Sequence, residues 1–220
     1  MGGEPFVLDL ERLSGDLTLP FRRFDMGEIL AEEVGLNRAT GPKTTLEAGC
    51  GSGKMSVTLA LRSKSFRCLG IDISESAVLY ARKLAQAVEH VAEVKIAAGF
   101  SRMDFFAADC FAPGQFDYVF NEGTPEHFID ARRQGYFDKC ARLAAKKVII
   151  FVPNKDCPEQ QEVSTHSHHD YEGTVDYEED FTRDELRERL LAAHLDKVEV
   201  RPVTPGPWEK SRFLVGVGRP

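Results

Sequence analysis

The chain has 220 residues, 42% of them hydrophobic and 29% charged, a balance that suits one globular domain with a substantial buried core. Its 28 lysines and arginines face 35 aspartates and glutamates, and the formal net charge of -7 argues against a broad phosphate-binding face, so duplex nucleic acid is not an expected partner. No apolar run reaches the length of a membrane span, and the first residues lack the basic segment and apolar core of a signal peptide, so the expectation is a cytoplasmic protein.

In chain order, residues 24–34 place Phe24, Ile29, Leu30 and Val34 roughly on one helix face. Thr45, Leu46, Glu47, Ala48, Gly49, Cys50, Gly51, Ser52 and Gly53 then read as an apolar strand end, a glycine loop and the approach to a helix starting at Lys54. Alternate glycines let backbone come close to a ligand where a Cβ would collide, and the helix start offers unpaired N–H groups to an anion. A second strand-like run, Phe66, Cys68, Leu69, Gly70 and Ile71, ends in Asp72, about twenty residues past the loop, where a ribose-binding carboxylate belongs. Residues 75–91 read as a helix, residues 103–108 as a third apolar run closed by Asp109 and Cys110, and residues 116–120 as a fourth. Residues 132–143 read as a helix and 147–152 as a fifth strand ended by Pro153. Thr182 and Glu185 form a T-x-x-E box opening an amphipathic helix, and residues 197–203 and 212–217 read as two closing strands. Alternating strands and helices imply a mostly parallel sheet with helices on both faces.

The glycine loop does not complete a dinucleotide fingerprint, because Lys54 or Ser56 stands where either frame needs its last glycine. It fails as a P-loop as well, since Ala48 and Met55 occupy the flanking positions. What remains is acidic-x-G-x-G-x-G, and with it the chain resembles the class I methyltransferases that use S-adenosylmethionine. The resemblance implies a Rossmann-like seven-stranded α/β sheet, mostly parallel, with the last strand antiparallel. It also implies that Glu47, Gly49, Gly51 and Gly53 hold the methionine part of the cofactor. Asp72 would bind the ribose, with Ile73 beside it, and Asp109 with Cys110 would meet the adenine. Asn121 opens the segment Asn121, Glu122, Gly123, Thr124, Pro125, Glu126, His127, which would lie beside the reactive methyl; Glu122 would lie near the cofactor's amino group.

The expected reaction is methyl transfer to an oxygen or nitrogen of a small-molecule acceptor, with His127 as candidate general base; a capping or packing histidine would occupy the same position. A divalent metal is a second reading, because Glu126-His127 and the histidines 166, 168 and 169 are metal-ligand types, although Gly123 stands where E-x-x-E-H needs its first glutamate. Residues 1–220 are expected to form one domain, with a cap region at 1–40 and an active-site lid at 154–180. Arg22 and Arg23 in the cap suit either the cofactor carboxylate or solvent. A methyltransferase of protein or RNA ends, and a cofactor-binding fold with other chemistry, stay as alternatives. The five cysteines, odd in number and without C-x-x-C, read as reduced and mostly buried, and Trp208 reads as loop packing.

Overall fold

The computed structural model describes residues 26–38, 41–160 and 178–220. Arg22, Arg23, Phe24 and the histidines 166, 168 and 169 lie outside the described residues, as do most of the expected cap and lid. Among the described residues the main elements follow in this order. They are α1 (Met26–Glu33), β1 (Lys43–Ala48), α2 (Lys54–Arg62), β2 (Phe66–Asp72), α3 (Glu75–Ala92), β3 (Ala98–Arg102), β4 (Phe116–Glu122), α4 (Asp130–Leu143), β5 (Ala144–Pro153), α5 (Arg183–Ala192), β6 (Asp196–Pro202) and β7 (Phe213–Arg219).

The strands form one sheet in the order β3-β2-β1-β4-β5-β7-β6. The pairs β1–β2, β1–β4, β2–β3 and β4–β5 are parallel, whereas β7 runs antiparallel to both β5 and β6. The order reverses between β1 and β4, and in open α/β sheets such a reversal opens a crevice beyond the carboxyl ends of the strands.

Alternation along the strands splits the core into two layers. In β5, Val148, Ile150 and Val152 face α4 and α5, where they meet Tyr136, Phe137, Leu186 and Leu190. Ile149 and Phe151 face the other way, toward Met26 and Leu30 of α1 and Met55 and Leu59 of α2. Val57 of α2 closes against Val78, Ala81 and Leu84 of α3. Helices therefore cover both faces, as expected from the alternating pattern.

Residues 103–108 are not a strand. The third strand is Ala98–Arg102, with only Phe100 buried along it. It is an edge strand, so it needs few apolar residues. The stronger apolar run beyond it serves a different contact: Phe105 lies 5.1 Å from Tyr136 and Phe106 lies 5.0 Å from Phe128, ring centroid to centroid. The helix at Thr182 starts as read, with its hydroxyl accepting from Glu185 N at 3.2 Å. The Glu185 carboxylate turns instead to Arg133, 2.9 Å away. Trp208 packs against the α4 layer, with the Arg183 guanidinium 4.5 Å over its ring. All five cysteines are free thiols; only Cys110 is exposed.

Candidate active site

The carboxyl end of β1 runs straight into the glycine loop. Gly49, Gly51 and Gly53 adopt φ values of +79°, +48° and +71°, a region that side chains with a Cβ rarely enter. The three glycines are there for different reasons. A Cβ on Gly49 would stand 2.5 Å from Thr124 Oγ1, and one on Gly53 would stand 2.5 Å from the Phe100 ring. A Cβ on Gly51 would meet nothing within 4 Å, so there the backbone borders open space. Gly51→Ala is therefore expected to cost about 1 kcal/mol of stability from its backbone angle alone. Gly53→Ala, which collides as well, is expected to cost several-fold more. Urea denaturation of the two variants checks the order.

Two carboxylates hold this loop. Glu47, 2% exposed, accepts the Ser56 N–H at 3.1 Å and so caps a helix start whose own cap residue, Gly53, has no side chain. Asp72, at the end of β2, accepts Gly51 N–H at 2.8 Å through one oxygen and Ser74 N–H at 2.9 Å through the other. A carboxylate has about four acceptor positions, so Asp72 keeps capacity for further donors. Ile73 follows it, 44% exposed, as an apolar surface at the strand end.

From β4 the chain approaches the loop from the other side. Thr124 Oγ1 lies 3.2 Å from Ala48 O and the Tyr136 hydroxyl donates to the same carbonyl at 2.8 Å. Asn121 is fully buried, with its amide donating to Phe151 O at 3.4 Å. His127 ends a short 3-10 turn, Pro125–His127, and is partly buried. Arg133 of α4 is 2% exposed and bonds Phe128 O at 2.7 Å, Glu185 Oε1 at 2.9 Å and Glu179 O at 3.3 Å, while its guanidinium lies 4.6 Å over the Phe181 ring.

The electrostatics of this end are acidic. Burial, the largest cause, pushes the Glu47 carboxyl up to about 8, and the charges of Glu122 and Asp72 add to the rise. Glu122, at the tip of β4, is raised by desolvation, with Lys54 pulling the other way. Glu47 thus lies within the field of Glu122 and Asp72 beside the glycine loop, a field that attracts a cation. Glu126, 2% exposed, is pushed by burial up to about 8, with Glu178 and Asp180 adding repulsion and Arg133 opposing it.

Both Glu47 and Glu126 keep protons in the fold at pH values where the unfolded chain, with a carboxyl pKa near 4.5, has released them. The folded state then binds more protons between about pH 4.5 and 8, so stability falls as pH rises through that window. The slope is at most about 1.4 kcal/mol per pH unit for each group. Glu47→Gln is expected to make the decline shallower in urea titrations taken across that range.

The structure brings Glu47, Gly49, Gly51, Gly53, Asp72 and Ile73 together at the ends of β1 and β2, with Asn121 at the end of neighbouring β4. It does not bring Asp109 and Cys110 to a strand end. Both are exposed on a turn beyond β3, and the Asp109 carboxylate, 88% exposed, pairs with Lys139 of α4 at 3.4 Å. Asp104 stands nearer the end of β3, with its carboxylate accepting Phe106 N–H at 2.9 Å. Thr124, Tyr136 and Arg133 were not singled out from sequence; their roles depend on partners far away in the chain. Among the described residues no group of three or more His, Cys, Asp or Glu converges as a metal-holding set, and no helix is long and apolar enough to cross a membrane.

Residues 45–147 match the family model described as a methyltransferase domain. That match spans just under half of the chain, and the fold is that of S-adenosylmethionine-dependent methyltransferases. Solved structures share the fold of this chain. An O-methyltransferase family protein from Burkholderia thailandensis is 19% identical with a TM-score of 0.68, over 89% of this chain and 55% of that one. Magnesium protoporphyrin IX methyltransferase from Synechocystis PCC 6803, solved with bound SAH, is 17% identical with a TM-score of 0.65, over 99% of this chain and 90% of that one. A SAM-dependent methyltransferase from Methanosarcina mazei is 17% identical with a TM-score of 0.63, over 84% and 96%. The chain spans 56% of the length of an O-methyltransferase-like structure from Nostoc punctiforme PCC 73102 and 55% of the Burkholderia protein, but most of the Synechocystis and Methanosarcina proteins. No curated protein matches the chain significantly in sequence.

Proposed function

We propose that this protein transfers the methyl group of S-adenosylmethionine to an oxygen or nitrogen of a small-molecule acceptor by in-line displacement. The observation that carries the reading is the glycine loop itself. Its middle residue, Gly51, borders open space while its N–H is fixed by Asp72, and the surrounding carboxylates favour a cationic ligand. The cofactor supplies an electrophilic methyl on a sulfonium. The residues present fit it: the Gly49–Gly51–Gly53 backbone admits close approach, Asp72 takes ribose hydroxyls, Ile73 offers an apolar contact, and Glu47 holds the α2 start in place. Asp109 and Cys110 are the proposed adenine contacts, with Asp104 as the competitor nearer the strand end.

On the acceptor side, the acceptor lone pair forms the new bond to the methyl carbon as the carbon–sulfur bond breaks and its electron pair stays on sulfur. The acceptor's proton must leave, and the His127 imidazole is the group proposed to receive it. Proximity and alignment supply most of the remaining rate, so His127→Ala is expected to slow turnover rather than abolish it. Acidic composition and the acidic strand ends support a small acceptor over a nucleic acid end. Soluble expression in the cytoplasm and action without membrane contact are part of the same proposal.

Calorimetric titration with S-adenosylmethionine and S-adenosylhomocysteine, with and without a chelator, tests the reading. One-site saturable binding of both is the expected result. No binding by either compound would sink it, and loss of binding with chelator would bring a divalent metal back into the site.

A further inference from the structure

Two buried side-chain oxygens on the segment proposed to face the acceptor have no hydrogen-bond partner: Asn121 Oδ1 and Glu126 Oε2. An unmet buried acceptor costs about 1–3 kcal/mol, more when charged. Their side chains flank one turn. Gly123 N–H and the Asn121 amide both donate to Phe151 O, at 3.1 and 3.4 Å, and a Cβ on Gly123 would stand 2.9 Å from Glu126 Oε1. Strand alternation puts Asn121 on the same face of β4 as Val119, the face covered by α4. Glu126 lies toward α4 as well, with Arg133 Nη2 donating to its carbonyl at 3.4 Å and Tyr136 within its field.

Resting on the methyltransferase reading, we propose that the acceptor is an amine whose N–H groups are received by Asn121 Oδ1 and Glu126 Oε2. A hydroxyl carries one hydrogen and can satisfy one of two acceptors; an ammonium or amine carries enough for both. Charge points the same way. The field at Glu126 comes from Glu178, Asp180 and the single cation Arg133, and Arg133 is already engaged by Glu185 and Glu179. A cationic ligand therefore supplies the compensation that a buried carboxylate otherwise takes from a proton. This assigns acceptor specificity to the turn between β4 and α4 and selects nitrogen over oxygen.

The test is calorimetry on the full chain saturated with S-adenosylhomocysteine, with three probes: methylammonium, tetramethylammonium of equal charge but no N–H, and methanol with one O–H. Methylammonium is expected to bind saturably, and about tenfold more weakly to Glu126→Gln and to Asn121→Leu, each shown folded by its thermal transition. The other two probes are expected not to bind. Equal binding of tetramethylammonium, undiminished binding in both variants, or no methylammonium binding to protein that does bind S-adenosylhomocysteine each overturns the proposal. Failure of S-adenosylhomocysteine itself to bind is a separate result, which removes the methyltransferase reading and the proposal with it.

Discussion

Replacing Arg133 with methionine lowers the unfolding free energy by about 3–5 kcal/mol, the range seen when one member of a buried charge pair is removed. In a domain of this size that is a fall of roughly 6–20 °C in melting temperature. The side chain is 2% exposed and serves three separate pieces of chain: Phe128 after β4, Glu179 ahead of α5, and Glu185 within α5. Methionine fills much of the volume but offers no donor, so carbonyls of Phe128, Glu126 and Glu179 lose their partner together. Arg133→Lys is expected to recover part of the loss, because a single ammonium keeps the charge but not the planar fork. Differential scanning calorimetry of the three proteins decides it; a melting temperature within 2 °C of the parent for the methionine variant would mean that the guanidinium stabilises nothing on balance.

Asp72→Ala weakens S-adenosylmethionine binding by about 100-fold or more, while lowering stability by only about 1–2 kcal/mol. The carboxylate does two things at once. It fixes the N–H groups of Gly51 and Ser74, at 2.8 and 2.9 Å, and it is the group proposed to receive the ribose hydroxyls. Removing it leaves two N–H groups in partly exposed positions where water replaces the lost bonds, so the fold survives. The ligand loses both a direct contact and the fixed loop. Isothermal titration alongside urea denaturation separates the two effects. Unchanged affinity in a folded variant would refute the ribose assignment.

Sequence periodicity located the glycine loop, the strand ending in Asp72 and the T-x-x-E helix start because each of these is local: the residues that make the feature also sit next to one another in the chain. The third strand was misplaced for a physical reason. Hydrophobic density marks burial, and Phe105, buried, and Phe106, partly buried, pack against α4 rather than in the sheet, while the true strand at the edge carries Gly99, Ser101 and Arg102. That slip also hid Asp104, which reads as the interior of a run until the strand is seen to end at Arg102. Nothing local in the sequence marks Arg133 for burial, because the carbonyls and carboxylates that receive it come from the turn after β4 and from the start of α5. The unmet acceptors at Asn121 and Glu126 follow from where Phe151 and α4 lie, and no spacing in the sequence carries that information.

The Ala48 carbonyl stands where β1 ends, receives the Tyr136 hydroxyl at 2.8 Å and lies 3.2 Å from Thr124 Oγ1. One peptide oxygen therefore joins the loop proposed to cradle one reactant to the segment proposed to face the other. The two halves of the crevice share a rivet, not a hinge. Among the described residues that shared oxygen holds the end of β1 at a set distance from the turn after β4, which lessens the ordering left to be done there on binding. A substitution such as Tyr136→Phe is then a change in how accurately two partners are held apart, felt at a distance from either of them.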